Sequence, residues 1–147
     1  MITGVMRKDA HWEYRLRLEQ LLHIPTDASD QSIHEYIETG LLPDCVFALC
    51  NLGAIGPSER NQIVSLKTLK TRMTTRQRLT LHESDRAFRF AHITALAMAI
   101  FGSDDKARRW LSKPKARFSG KTPFVLLSTL QGTRLVEEML MEVADAF

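Results

Sequence analysis

Histidines, cysteines and an adjacent carboxylate pair are the residues of this chain that could carry chemistry, and their spacing argues against the usual kinds. Cys45 and Cys50 stand five apart in a predicted helix, which separates them by about 140° around its axis. They neither bridge nor form the CxxC spacing of a zinc or redox site, and free thiols of this sort pack as small apolar groups. His11, His23, His34, His82 and His92 are scattered, with no HExxH pair, so no metal site is expected. His92 sits inside an apolar run and reads as a satisfied core or boundary histidine rather than a ligand. Glu137 and Glu138, adjacent on a helix, point about 100° apart and read as a charged outer face. No GxxxxGK[ST], GxGxxG or GxSxG motif occurs. With no nucleophile, base and oxyanion donor to assemble, the chain reads as a non-enzyme without metal or cofactor.

Charge is more informative than any single reactive residue. The net charge of +3 conceals a segregation: residues 1–59 sum to −5, residues 60–82 to +6, and residues 83–147 to +2. The middle segment carries Arg60, Lys67, Lys70, Arg72, Arg76 and Arg78 with no acid. Such a stretch is either a face for a polyanion, most often nucleic acid, or a solvated helix face.

The elements that must position these charges read as helices throughout. At 147 residues and 16.8 kDa the chain has room for one ordinary domain, or two very small ones sharing a core. The apolar run Ile93–Phe101 is far too short to span a bilayer, which takes about 20 residues. The charged N-terminus lacks the apolar stretch of a secretory signal, so a cytoplasmic protein without membrane contact is expected.

A first amphipathic helix is predicted from about Asp9 to His23, with Trp12, Leu16, Leu18, Leu21 and Leu22 among its charges. Ser29 or Asp30 caps a second, with Ile33, Tyr36 and Ile37 as its stripe. Pro43 suits the first turn of a third, whose buried side is Val46, Phe47, Leu49, Cys50 and Leu52 and which ends at Gly53. Gly56-Pro57 opens a short fourth helix, and Ser65 caps a fifth from Leu66 to about Thr75. These two have the size and charge of a helix-turn-helix. Leu66, Leu69 and Met73 form its inward stripe, leaving Lys67, Lys70 and Thr71 on another face. A helix in the major groove needs that division, one face held by a core and one carrying donors to phosphates and base edges.

Thr80 and Glu83 make a capping box for a long helix whose apolar residues cover most of its circumference, the mark of a helix surrounded by others. Gly102 ends it. Ser103 caps a helix from Asp104 to Leu111, with Trp110 and Leu111 docking inward. Thr122-Pro123 starts a short helix ending at Gly132, and a last one runs from about Thr133 to Ala146, presenting Leu135, Val136, Met139, Leu140 and Val143. The fold class is all-α.

Three ordered blocks, LTLHESDRAFRFAHITALAMAIFG, KARRWLSKP and GKTPFVLLSTLQGTRLVEEML, resemble the Xre-like antitoxins of RES–Xre toxin–antitoxin modules, the MbcA/ParS/Xre family. The upstream IETGLLPDCVFALCNLG and VSLKTLKTR resemble the family's helix-turn-helix half, so the likeness runs from about Ile33 to Val143. It implies a bifunctional protein. The N-terminal half would bind the module's own promoter as a repressor, and the C-terminal half would bind a RES-domain toxin, an NAD⁺-degrading enzyme, and cover its active site. The chain departs from the family in two places. Where the family often has Arg-Thr-Leu-x-Arg-Arg, this chain has Lys67-Thr68-Leu69-Lys70-Thr71-Arg72; lysine keeps the charge but lacks the planar fork that reads guanine. Near the end, Ala146 replaces a common glycine.

The expected organisation is an N-terminal helical extension (1–28), a helix-turn-helix DNA-binding domain (29–80) packed with a toxin-binding domain (81–147), and assembly as a homodimer or a larger hetero-oligomer with the toxin. The residues expected at operator DNA are Arg60, Ser65, Lys67, Thr68, Lys70, Thr71, Arg72 and Arg76. Those expected at the toxin are Trp110, Lys113, Glu138, Glu142, Asp145 and Phe147, the acidic tip acting as a mimic of a dinucleotide's phosphates in an electropositive site. The basic stretch 106–121 reads equally as a second DNA surface or a toxin surface. A helix-turn-helix regulator without a toxin partner is the alternative.

Overall fold

The computed structural model describes residues 7–53 and 55–146. Among these, nine α-helices form, with no strand beyond one antiparallel bridge between Lys115 and Lys121, as the all-α reading requires. They are α1 (Lys8–Leu22), α2 (Asp30–Thr39), α3 (Asp44–Leu52), α4 (Pro57–Ile63), α5 (Leu66–Thr75), α6 (Leu81–Phe101), α7 (Asp104–Ser112), α8 (Pro123–Leu126) and α9 (Leu130–Asp145).

Six of these helices start on a Ser or Thr hydroxyl that accepts from a backbone N–H of the first turn: Ser29, Ser65, Thr80, Ser103, Thr122 and Thr129. Each satisfies a donor the helix cannot satisfy internally. The capping box of α6 is complete, with Glu83 N–H donating to Thr80 Oγ1 at 3.2 Å and Thr80 N–H donating to Glu83 Oε1 at 2.9 Å. At the other end Gly102 adopts φ 65° and its N–H closes on the Met98 carbonyl, the left-handed stop that glycine takes without penalty.

Helix α6 is the centre of the molecule. Thirteen of its 21 residues are buried, and α1, α2, α3, α4, α7 and α9 all pack on it. Its largest buried side chains, Phe90, Ile93 and Leu96, join a single apolar cluster running from Tyr14 on α1 to Leu140 on α9. That cluster crosses the expected 80/81 boundary without a break, and α1 lies along α6.

Several sequence expectations need correction. The apolar stripes of the short helices are narrower than their patterns suggest, because each touches the core along one edge. On α5 only Leu69 is buried; Leu66 and Met73 are each 41% exposed. On α1, Trp12 faces out while Tyr14 and Arg15 are buried. Tyr36 on α2 and Phe47 and Leu52 on α3 are exposed, leaving Cys45, Val46 and Leu49 as the buried side of α3. On α9, Leu135 is exposed while Val136 and Leu140 are fully buried. Pro43 precedes α3 at the cap position rather than entering its first turn.

Gly132 ends no helix. It lies in the first turn of α9, where its N–H donates to Thr129 Oγ1 at 2.9 Å. A Cβ there would stand 1.9 Å from the Leu126 carbonyl oxygen, so this glycine serves a close approach of α8 to α9 rather than a stop.

The depth of α6 sets an expected contrast. Leu96→Ala should lower unfolding free energy by about 2–5 kcal/mol, the usual cost of a buried leucine, and Leu66→Ala by less than about 0.5 kcal/mol. Urea denaturation of both variants checks this; equal losses would contradict the assigned packing of α5.

Candidate nucleic-acid and partner interfaces

Helices α4 and α5 are joined by Val64 and Ser65 and are attached to α6 at three points. Leu69 enters the core. Arg86 of α6 donates to the Ile63 carbonyl at 3.0 Å, meeting the C-terminal carbonyls of α4. Arg72 on α5 forms a two-pronged pair with Glu83, Nε to Oε1 at 3.2 Å and Nη2 to Oε2 at 3.3 Å.

The Glu83 carboxylate therefore serves the capping box and the guanidinium together. Burial alone would raise its pKa, but the hydrogen bonds from Arg72 and Thr80 and the Arg72 charge outweigh that and hold it below the usual carboxylate range.

This sorts the residues expected at DNA. Lys67, Lys70, Thr71 and Arg76 are exposed. Arg76 closes α5 in the left-handed conformation, φ 56°. Ser65 and Thr68 are held by the cap, Ser65 Oγ accepting from Thr68 N–H at 3.2 Å and lying 3.0 Å from Thr68 Oγ1. Thr71 donates its hydroxyl to the Lys67 carbonyl at 3.0 Å. Arg60 is half-buried and donates to the Val64 carbonyl at 3.2 Å, and Arg72 is turned to Glu83. The exposed cations of this segment are Lys67, Lys70, Arg76 and Arg78, the last donating to the Gly40 carbonyl at 3.0 Å, with Arg60 and Arg72 as supports of α5.

In the C-terminal half, much of the basic stretch is engaged internally. Arg108 donates to the Leu52 carbonyl at 3.0 Å and pairs with Asp105 at 2.9 Å. The Lys115 ammonium lies over the Trp110 ring, 4.6 Å from its centroid, and Trp110 is half-buried against Phe101 with ring centroids 5.9 Å apart. Arg117 forms a two-pronged pair with Glu142, Nη2 to Oε1 at 3.0 Å, which lowers the pKa of that carboxyl. Thus Trp110 and Glu142 already have partners within the chain. Lys113, Glu138 and Asp145 are exposed, and Phe147 lies outside the described residues.

Sequence reasoning missed one constellation. The Tyr14 hydroxyl of α1 lies 2.6 Å from His92 Nδ1, and His92 Nε2 lies 2.6 Å from Glu137 Oε1 on α9. A ring carrying its proton on Nε2 satisfies both contacts, donating to the carboxylate and accepting from the phenol. Phe88 stacks on the same ring, centroids 5.7 Å apart. The expectation that His92 is a satisfied core histidine holds, but Glu137 is its partner and not part of an outer face. Burial pushes the Tyr14 phenol up, and burial also raises the Cys45 thiol to about 12. Among the described residues no group of three or more His, Cys, Asp or Glu could hold a metal ion, and no helix is long and apolar enough to cross a membrane.

Comparison with known proteins assigns the C-terminal half first: residues 96–144 match the Antitoxin Xre/MbcA/ParS C-terminal toxin-binding domain. The whole chain is 51% identical, over 147 residues and 92% of the relative's length, to a Pseudomonas putida (strain KT2440) protein named Antitoxin Xre. The chain belongs to the Xre antitoxin family. As such an antitoxin it is one half of a toxin–antitoxin system, and α7 to α9, with the end of α6, form its toxin-binding domain.

In this Xre antitoxin Glu83 links the α6 cap to α5, so Glu83→Gln should cost about 1–2 kcal/mol near pH 7. Because the folded pKa is depressed, the Glu83 contribution is complete above the unfolded value of about 4.3 and is lost as pH falls through the folded value. The gap between wild type and variant, followed by denaturant unfolding, should therefore narrow below about pH 4. A gap constant from pH 7 to pH 3 would contradict the pairing.

Proposed function

We propose that this antitoxin inhibits a RES-domain, NAD⁺-degrading toxin by covering its active site with the C-terminal half, and represses its own operon through α4 and α5. It acts by binding rather than turnover, in the cytoplasm, and engages operator DNA as a dimer or within a larger complex with the toxin. The observation that carries the DNA reading is the segregation of charge in space. In a segment without acids, Lys67, Lys70 and Arg76 are exposed while Arg72 is drawn back to Glu83. The toxin reading rests on the match of residues 96–144 to a toxin-binding domain. A RES-type enzyme is the partner implied by the sequence blocks KARRWLSKP and GKTPFVLLSTLQGTRLVEEML.

The two activities have separate tests. With Lys67, Lys70 and Arg76 as the phosphate contacts and Arg78 held on the Gly40 carbonyl, the salt slope, log affinity against log salt, is about −3 per bound chain. Replacing Lys67 and Lys70 together by alanine should flatten it by about 2, measured by fluorescence anisotropy on the promoter fragment. Unchanged operator affinity in that variant would overturn the placement. Co-expression with the RES-type toxin of the same operon should restore growth and cellular NAD⁺; continued NAD⁺ loss would overturn the toxin reading.

A further inference from the structure

Apart from its acidic tip, the toxin-binding domain carries an apolar corner that the basic stretch reaches through Lys121. Within residues 96–144, the exposed large apolar side chains among the described residues are Val125, Leu130 and Leu135, at 46%, 54% and 49%. The others of that kind, such as Trp12, Tyr36 and Phe47, lie elsewhere in the chain. The three belong to α8 and the first turns of α9. Val125, Leu126, Thr129, Gly132 and Leu135 line one groove of about 360 Å³ between those helices, with Lys121 as the one charged residue lining it.

The local sequence builds this groove and fixes its shape. Pro123 and Phe124 of α8 and Leu127 just after it are buried, and on so short a helix that turns Val125 outward. Val136 and Leu140 take the core side of α9, leaving Leu135 about 100° away. Gly132 lets the Leu126 carbonyl approach to a distance no side chain permits. The corner is pinned by the Thr129 cap and by Arg89 of α6, which donates to the Ser128 carbonyl at 3.3 Å. Apolar side chains gathered on one rigid corner mark a binding surface, and a preformed groove orders little on binding.

We propose that this α8–α9 groove is where the toxin docks, seating one of its own apolar side chains between Val125 and Leu135, with a toxin carboxylate placed against Lys121 at the rim. The occupant is the toxin because the groove lies wholly inside the segment matched to the toxin-binding domain. The inference rests on the toxin reading above. It assigns the docking surface to aliphatic residues rather than to Trp110 and Glu142, which are occupied by Lys115 and Arg117.

The test uses the full-length antitoxin and the purified RES-type toxin of its operon, with affinity read by calorimetry. Val125→Lys and Leu135→Lys, both at exposed positions, should weaken toxin binding by about tenfold to a hundredfold, while Tyr36→Lys leaves it unchanged. Operator affinity and thermal unfolding of all three should match wild type. If wild type binds and both groove variants bind equally well, the groove is wrong and the toxin reading stands. If wild type fails to bind the toxin, that reading fails and the groove falls with it. Groove variants that keep toxin affinity but change mass in light scattering would make this corner a contact between copies of the chain, which also overturns the proposal.

Discussion

Everything in this molecule is arranged around the burial of α6. A helix wrapped on most of its circumference gains from setting its polar groups against neighbours, since an unmatched buried donor or acceptor costs about 1–3 kcal/mol; on α6 the Thr94 hydroxyl, buried without a hydrogen-bond partner among the described residues, is an exception. Five polar residues of α6 are points of attachment. Glu83 takes the Arg72 guanidinium of α5, Ser84 Oγ accepts from the Leu41 N–H at 2.9 Å in the α2–α3 connection, and Arg86 meets the end of α4. His92 joins α1 to α9, and Arg89 reaches the connection between α8 and α9. Apolar burial supplies the driving force, and these contacts fix how each surrounding helix is turned.

That arrangement leaves room for the two proposed binding surfaces on one core of this size. The exposed lysines of α5 and the aliphatic corner of α8 and α9 have no side chains in common, yet both are oriented from α6, the first through Glu83 and the second through Arg89 and the packing of Phe90 on Phe124, centroids 5.8 Å apart. A change at the core is expected to reach both surfaces, whereas a change at either surface stays local. Arg72, withdrawn into its pair with Glu83, orients α5 rather than adding to its exposed charge.

Local signals were legible in the sequence and lateral ones were not. Ser65, Thr80 with Glu83, Gly102 and Ser103 marked helix ends because capping chemistry acts within one turn. The all-round apolar pattern of α6 announced its central place for a similar reason. Leu66, Met73 and Leu135 misled because a hydrophobic stripe on a short helix records residue type but not how much of it the neighbours reach. Glu137 was misplaced because its partner is 45 residues distant and no local pattern announces such a pair. Gly132 was taken for a stop because its reason, the approach of the Leu126 carbonyl, exists only in three dimensions. At the surfaces, charge segregation located α5 but could not show that Arg72 turns inward, and the α8–α9 groove had no sequence signal at all.

A single helical core is proposed to present separate DNA and toxin surfaces, on α5 and on the α8–α9 corner. Hydrogen exchange of the full-length antitoxin, alone, with promoter DNA and with the RES-type toxin, tests it most directly. DNA should slow exchange across residues 65–76 and leave 121–135 unchanged, and the toxin should do the reverse. Toxin protection concentrated on residues 65–76, or absent from 121–135, would contradict the account.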